Sequence, residues 1–256
     1  MNIQIISDLH VDFEQNRRYL HKLYNKYDFS AIDVLIIAGD ICPHGYPVSC
    51  KLWDETLNIF LKNCKRTIVI PGNHDFWGCG SGDPSLQEVL NIYHYNDNIL
   101  YYANNNVIVI GGVSFLCSTL WSKITCNPVL VFNGMNDYRE ITGLTIEKCN
   151  DIFYSSLSWL ECHLFELDSC VVITHHLPSF NFISFNRRND SLNEAFASNL
   201  DNLIMEYSYK IPLWVHGHSH DFFDLKVLNT RFIRNPFCYP HERAYQVFKD
   251  SFVVEI

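Results

Sequence analysis

Short aliphatic runs alternate with longer stretches of helical spacing along the first third of the chain. Ile3, Ile5 and Ile6 predict a strand. Asp12 to Tyr27 places Leu20, Leu23, Tyr24 and Tyr27 on one helical face. Val34 to Ile37 predicts a second, buried strand. Val48 to Cys64 predicts a second helix through Leu52, Trp53, Leu57, Phe60 and Leu61. Thr67 to Ile70 is a β-branched run suited to a third strand, stopped by the turn residues Pro71-Gly72. Strand-helix crossovers are right-handed, so the three strands should lie parallel with their carboxyl ends on one edge.

The pattern then changes. Asp83-Pro84 reads as an N-cap opening a helix to about Tyr93. Ile99 to Tyr102, Asn106 to Ile110 and Val113 to Cys117 read as strands, with Gly111-Gly112 turning a hairpin between the last two. Residues 121–142 have weak periodicity and predict a loop that could wall a site. Thr145 to Leu167 predicts a long helix, and Cys170 to Thr174 a strand. Leu177 to Asp190 is irregular, and Ser191-Leu192-Asn193-Glu194 predicts a capping box opening a helix through about Tyr207. Leu213 to Val215, Phe222 to Val227, Thr230 to Ile233 and Phe252 to Glu255 complete a second set of strands. No repeat, low-complexity tract or linker interrupts residues 1–256, so one α/β domain is expected.

Composition narrows the class. The 256 residues are 48% hydrophobic and carry a formal charge of −9. Such a chain buries a sizeable core, and its acidic surface disfavours non-specific nucleic-acid binding. Ten scattered cysteines without a C-x-x-C pair, and no secretory signal, fit reduced thiols in the cytoplasm. No run of about 18 apolar residues predicts a membrane span. Oligomeric state is not legible.

The candidate chemistry gathers at strand ends. Asp8 and His10 follow the first strand, Asp40 the second, and Asn73, His74 and Asp75 the third. His175-His176 and His216-Gly217-His218-Ser219-His220 follow two later strands. Asp8, Asp40 and Asn73 are spaced 32 and 33 residues apart, about one crossover each. Singly these residues are weak signals, because a lone strand-end histidine is usually a hydrogen-bonded core residue. Together they form a mixed N/O donor set that would be strained without cations.

The pattern resembles the calcineurin-like metallophosphoesterase superfamily: Asp8-Leu9-His10, Gly39-Asp40, Gly72-Asn73-His74-Asp75, His175, then Gly217-His218-Ser219-His220. The resemblance implies a four-layer α/β/β/α sandwich, with two mixed β-sheets flanked by helices. It implies two metal ions, one held by Asp8, His10, Asp40 and His220, the other by Asp40, Asn73, His175 and His218. The donor types suit divalent Mn, Fe, Co, Ni or Zn better than Ca or Mg. The implied reaction is hydrolysis of a phosphate ester by a metal-activated hydroxide, with His74 as proton donor to the leaving group.

The expected activity is that of a phosphodiesterase on small-molecule or nucleotide substrates. A phosphomonoesterase or a protein phosphatase of the superfamily, and a non-catalytic scaffold, are the alternatives. The protein phosphatases typically carry Asp-Arg-Gly after the Gly-Asp and Arg-Gly-Asn-His-Glu at the third motif; Ile41-Cys42-Pro43-His44-Gly45 and Pro71-Gly72-Asn73-His74-Asp75 stand here, which disfavours that branch. Other residues have two readings. Asp75 either orients His74 or caps its turn. His176 and His216 either support the ligands or pack behind them. Arg187, Arg188 and His44 either touch substrate or are solvated. Arg231, Arg234, Asn235, Tyr239 and Arg243 follow the last ligand and could also line the site.

Overall fold

A computed structural model describes residues 1–26, 28–79, 89–242 and 248–256. Two six-stranded mixed sheets lie face to face. The first has the order β12-β1-β2-β3-β5-β4, made of β1 (Asn2–Ile6), β2 (Val34–Ala38), β3 (Arg66–Ile70), β4 (Val89–Tyr95), β5 (Asn98–Asn104) and β12 (Val253–Glu255). The second has the order β10-β11-β9-β8-β7-β6. Its strands are β6 (Asn106–Ile110), β7 (Val113–Ser118), β8 (Val171–Thr174), β9 (Leu213–Val215), β10 (Phe223–Val227) and β11 (Thr230–Arg234).

The strands facing the centre are buried on both sides, and their sequences are correspondingly near-continuous in Ile, Val and Leu. Ile3, Ile5, Ile36 and Ile68 of the first sheet pack with Phe115, Ile173, Val215 and Ile233 of the second. The outer face of the first sheet buries Leu35, Ile37 and Val69 under α1 (Glu14–Lys26) and α2 (Pro47–Asn63). The outer face of the second buries Leu116, Val172, Trp214 and Phe232 with Phe153, Leu160 and Leu164 of α5 (Ile146–Glu166) and Leu203 and Ile204 of α6 (Asp201–Tyr207). The result is the four-layer sandwich.

β1, β2 and β3 are parallel, as the crossover spacing requires. In the second sheet β7, β8, β9 and β11 are likewise parallel. Both sheets therefore send carboxyl ends toward one edge, where α/β folds bind ligands. Gly111 and Gly112 both have positive φ, 59° and 82°, and turn the expected β6–β7 hairpin.

Four expectations need correction. Residues 89–93 are strand, not helix: β4 pairs antiparallel with β5 across a turn in which Asn96 takes φ 52°. The Asp83-Pro84 cap lies outside the described residues. No helix runs from Ser191 to Tyr207. Glu194 turns its carboxylate to the backbone N–H groups of Thr125, Cys126 and Asn127 instead of closing a capping box, and only Asp201–Tyr207 is α-helical. Finally, β12 joins the first sheet beside β1, not the second. The expected loop at 121–142 holds two short helices, α3 (Pro128–Gly134) and α4 (Asp137–Glu140).

Candidate metal centre

The strand ends turn sharply where the chemistry sits. Asp8, His10, Asp40 and His218 have φ of 53°, 43°, 58° and 66°, in the left-handed region that non-glycine residues avoid. Backbone bonds hold them there: Asp8 N–H donates to Gly39 O at 2.9 Å, and His10 N–H to Asp40 O at 3.0 Å. Asp75 ties the next loop in. Its carboxylate accepts from the N–H groups of Gly72, Asp40, Ile41 and Cys42 at 2.7 to 3.1 Å. It therefore caps two turns at once, and its oxygens are spent on backbone, not on His74. Gly72 is required by closeness: a Cβ there would meet Asp40 Oδ1 at 2.1 Å.

This packing brings seven predicted donors together. Asp8, His10 and His220 place one donor atom each within 4.8 Å of one another; so do Asp40, His175 and His218. Asp40 also joins His10 and His74 in a third such group. His175 Nε2 lies 3.3 Å from Asp40 Oδ2 and 3.1 Å from Asn73 Oδ1. His10 Nε2 lies 3.2 Å from His220 Nε2, and His220 Nε2 lies 3.6 Å from Asp8 Oδ1. Asp40 stands between the two halves.

The arrangement is electrostatically poor by itself and fits cations. Asp8, His10 and His175 are fully buried, and Asp40 and Asn73 nearly so. Burial, then His74, pushes His10 well below the usual histidine range. Burial, then His176, does the same to His218. Burial would raise Asp40, but His175 and His74 outweigh it and hold the carboxyl well below its usual range. The reciprocal effect lifts His175 to about 9 against its burial. His10 Nδ1 is buried with no hydrogen-bond partner among the described residues, while its Nε2 faces another imidazole nitrogen. A divalent cation among these donors would replace nitrogen–nitrogen contacts by coordination and offset the burial of the carboxylates.

The other predicted residues divide. His74 lines the cavity beside the cluster. Its ring stacks on Trp77 with centroids 3.7 Å apart, and its Nε2 is 3.1 Å from the Tyr239 hydroxyl. Arg187 also lines this cavity, but Arg188 does not and instead lies over the Phe185 ring. His44 is not at the site: its ring packs against Trp53 and Tyr102. His176 packs against His218 and Trp121, and burial, then His175, lowers it to about 3. His216 is buried against Phe182 and stays neutral because burial and Arg234 both disfavour its charge. Arg231 pairs with Asp224 away from the cavity, Arg234 is buried on Asp221, and Asn235 donates to the Ile5 and Lys249 carbonyls. Arg243 lies outside the described residues.

Among the cavity residues that sequence reasoning missed, three touch Asn73, His74 or His220. Glu242 pairs with His220 Nδ1 at 2.5 Å, and with Asp8 it lifts His220 to about 10 against burial. Asp137 accepts from Asn73 Nδ2 and Trp77 Nε1, both at 2.8 Å. Trp77 lies three residues beyond His74, so its place in the motif was the one available signal. Asp137 and Glu242 come from segments without a pattern.

The cavity has a volume of about 570 Å³. Its floor includes Asp40, Asn73, His218 and His220, with Phe196 packed on His218, and its wall Met135, Asn136, Ile183, Asn186 and Arg187. No helix among the described residues is long and apolar enough to cross a membrane.

Known proteins share this architecture. A phosphopantetheinyl hydrolase from Mycobacterium tuberculosis superposes with a TM-score of 0.66 at 15% identity, over 96% of this chain and 91% of that one. A dimetal phosphatase from Danio rerio gives 0.51 at 13% identity, over 91% and 86%. In sequence, the chain is 26% identical to an uncharacterized protein of Acanthamoeba polyphaga mimivirus, over 94% of this chain and 92% of that one. Residues 1–222 match the calcineurin-like phosphoesterase family. The chain therefore belongs to the calcineurin-like phosphoesterases and is a metal-dependent phosphoester hydrolase.

Proposed function

We propose that the chain is a phosphodiesterase acting on small-molecule or nucleotide phosphate esters, working as one domain in the cytoplasm. The observation that carries this reading is the cavity. It opens directly on the Asp40–Asn73–His218–His220 face and extends to amides, apolar side chains and the Arg187 guanidinium, with Asp190, Asp221 and Glu242 also lining it. A diester carries a substituent on each side of its phosphate, and about 570 Å³ accommodates both. Both sheets supply residues to this one cluster, which supports a single unit.

Asp8, His10, Asp40 and His220 would hold one divalent transition-metal ion, and Asp40, Asn73, His175 and His218 the other. Such a pair supplies Lewis acidity at the phosphoryl oxygens and the attacking water. His74 donates the proton to the departing oxygen, and its place is set by three contacts. Its N–H bonds Asp40 Oδ1 at 2.9 Å, its ring stacks on Trp77, and the Tyr239 hydroxyl meets Nε2. Arg187 offers a cation to an anionic part of the substrate, bidentate where that part is a phosphate or carboxylate.

The test is hydrolysis of bis(p-nitrophenyl) phosphate and p-nitrophenyl phosphate in Mn²⁺, Zn²⁺, Fe²⁺, Co²⁺ or Ni²⁺. Cyclic nucleotides, dinucleotides and a phosphopantetheinyl ester follow in the same screen. Diester turnover exceeding monoester turnover is expected, abolished by chelation. His74→Ala should keep its metal content and lose about 10²- to 10⁴-fold on esters with poor leaving groups. Monoester preference throughout would overturn the diesterase reading, and full activity of His74→Ala the proton-donor role.

A further inference from the structure

Asp137 opens α4, outside every motif that marks the metal cluster, and is 5% exposed. One of its oxygens, Oδ1, accepts two hydrogen bonds. Asn73 Nδ2 donates at 2.8 Å and Trp77 Nε1 at 2.8 Å. Each donor belongs to a group whose orientation matters to the site.

An amide has two faces. Rotated by half a turn, Asn73 would present N–H₂ where it now presents oxygen. A cation accepts the oxygen and is repelled by the amide hydrogens. With Nδ2 committed to Asp137, Oδ1 is turned into the cluster, 3.1 Å from His175 Nε2. The indole is constrained in the same way. Its ring lies under His74 at a 28° interplanar angle, and its only N–H is spent on Asp137.

We propose that Asp137 is a positioning residue: through one shared oxygen it turns the Asn73 amide toward the metal cluster and fixes the Trp77 ring beneath His74. The proposal rests on the reading of Asn73 as a ligand and His74 as the proton donor. Because both donors meet the same oxygen, a side chain with a single carbonyl oxygen there can serve both. Asparagine at this position keeps a carbonyl oxygen in place; leucine keeps the volume and loses the acceptor.

The experiment titrates Co²⁺ into the metal-free full chain, following heat and visible absorption, for wild type, Asp137→Asn, Asp137→Leu, Trp77→Phe and Asn73→Ala. Thermal melts and steady-state kinetics accompany each. Asp137→Leu should bind one of the two ions about 10- to 100-fold more weakly, with an altered cobalt spectrum and a kcat loss at nearly constant KM. Asp137→Asn should stay close to wild type in all three. Trp77→Phe should bind both ions normally and lose kcat, a result available even if the leucine variant does not fold. Normal cobalt binding by folded Asp137→Leu, equal losses in the asparagine and leucine variants, or unchanged kcat in Trp77→Phe would overturn the proposal. Unchanged cobalt binding by Asn73→Ala would instead sink the ligand reading beneath it.

Discussion

The floor and the wall of the cavity are built differently. On the floor and in the donor cluster beneath it, Asp8, His10, Asp40, Asn73 and His175 are 0–1% exposed and hang from strand ends, where Asp8, His10 and Asp40 take left-handed turns held by hydrogen bonds. The wall comes from α3, α4 and the 177–196 segment, through which no sheet passes; there Asn186 and Arg187 are exposed, and Ile183 is buried. Glu194 joins the 177–196 segment to α3, accepting from the Thr125 hydroxyl and from the N–H groups leading into α3. A floor of that rigidity fixes which reaction is possible, because ligand geometry tolerates little error. A wall made of short helices and loops outside the sheets can change its substrate without disturbing the reaction.

The contrast can be tested from its strongest consequence to its weakest. Asp40→Ala removes the carboxylate common to both proposed ligand sets and the partner of buried His175. Turnover should fall by at least about 10³-fold, with metal content down by elemental analysis. Gly72→Ala drives a methyl group into Asp40 Oδ1. It should cost about 1–3 kcal/mol in denaturant unfolding and lower metal occupancy, although no donor is removed. Glu194→Ala strikes the wall alone. A stability loss of about 1 kcal/mol is expected, with KM raised and metal content intact. A fall in metal content there would erase the distinction between floor and wall. Arg231→Gln breaks an exposed pair with Asp224 remote from both regions. Its effect should be about 0.2–1 kcal/mol and vanish from the kinetics.

The strands that carry the site were legible because they are buried on both faces. Their aliphatic runs end abruptly in polar residues, and that break is local information. β4 was not legible. Val89–Tyr95 is an edge strand, mostly exposed, so no buried face imposes a period. Its one local sign was the turn at Asn96 and Asp97. The false capping box at Ser191–Glu194 failed for another reason. The same carboxylate that would close the box found three N–H groups at the entry to α3, distant in sequence. Likewise Phe252–Glu255 is plainly a strand, but only the packed molecule pairs it with β1.

The amino-acid order alone determined the alternation of elements, the seven donors at strand ends and, through them, the family. Each of those follows from residues adjacent in the chain or repeated at a fixed spacing. Folding alone decided that Asp75 caps two turns, that His44 packs away from the cavity, and that Asp137 and Glu242 hold Asn73 and His220. Those contacts join positions from 3 to more than 60 residues apart through single hydrogen bonds or ring contacts. Such contacts leave no periodic trace in a sequence, because any acceptor of the right reach would serve.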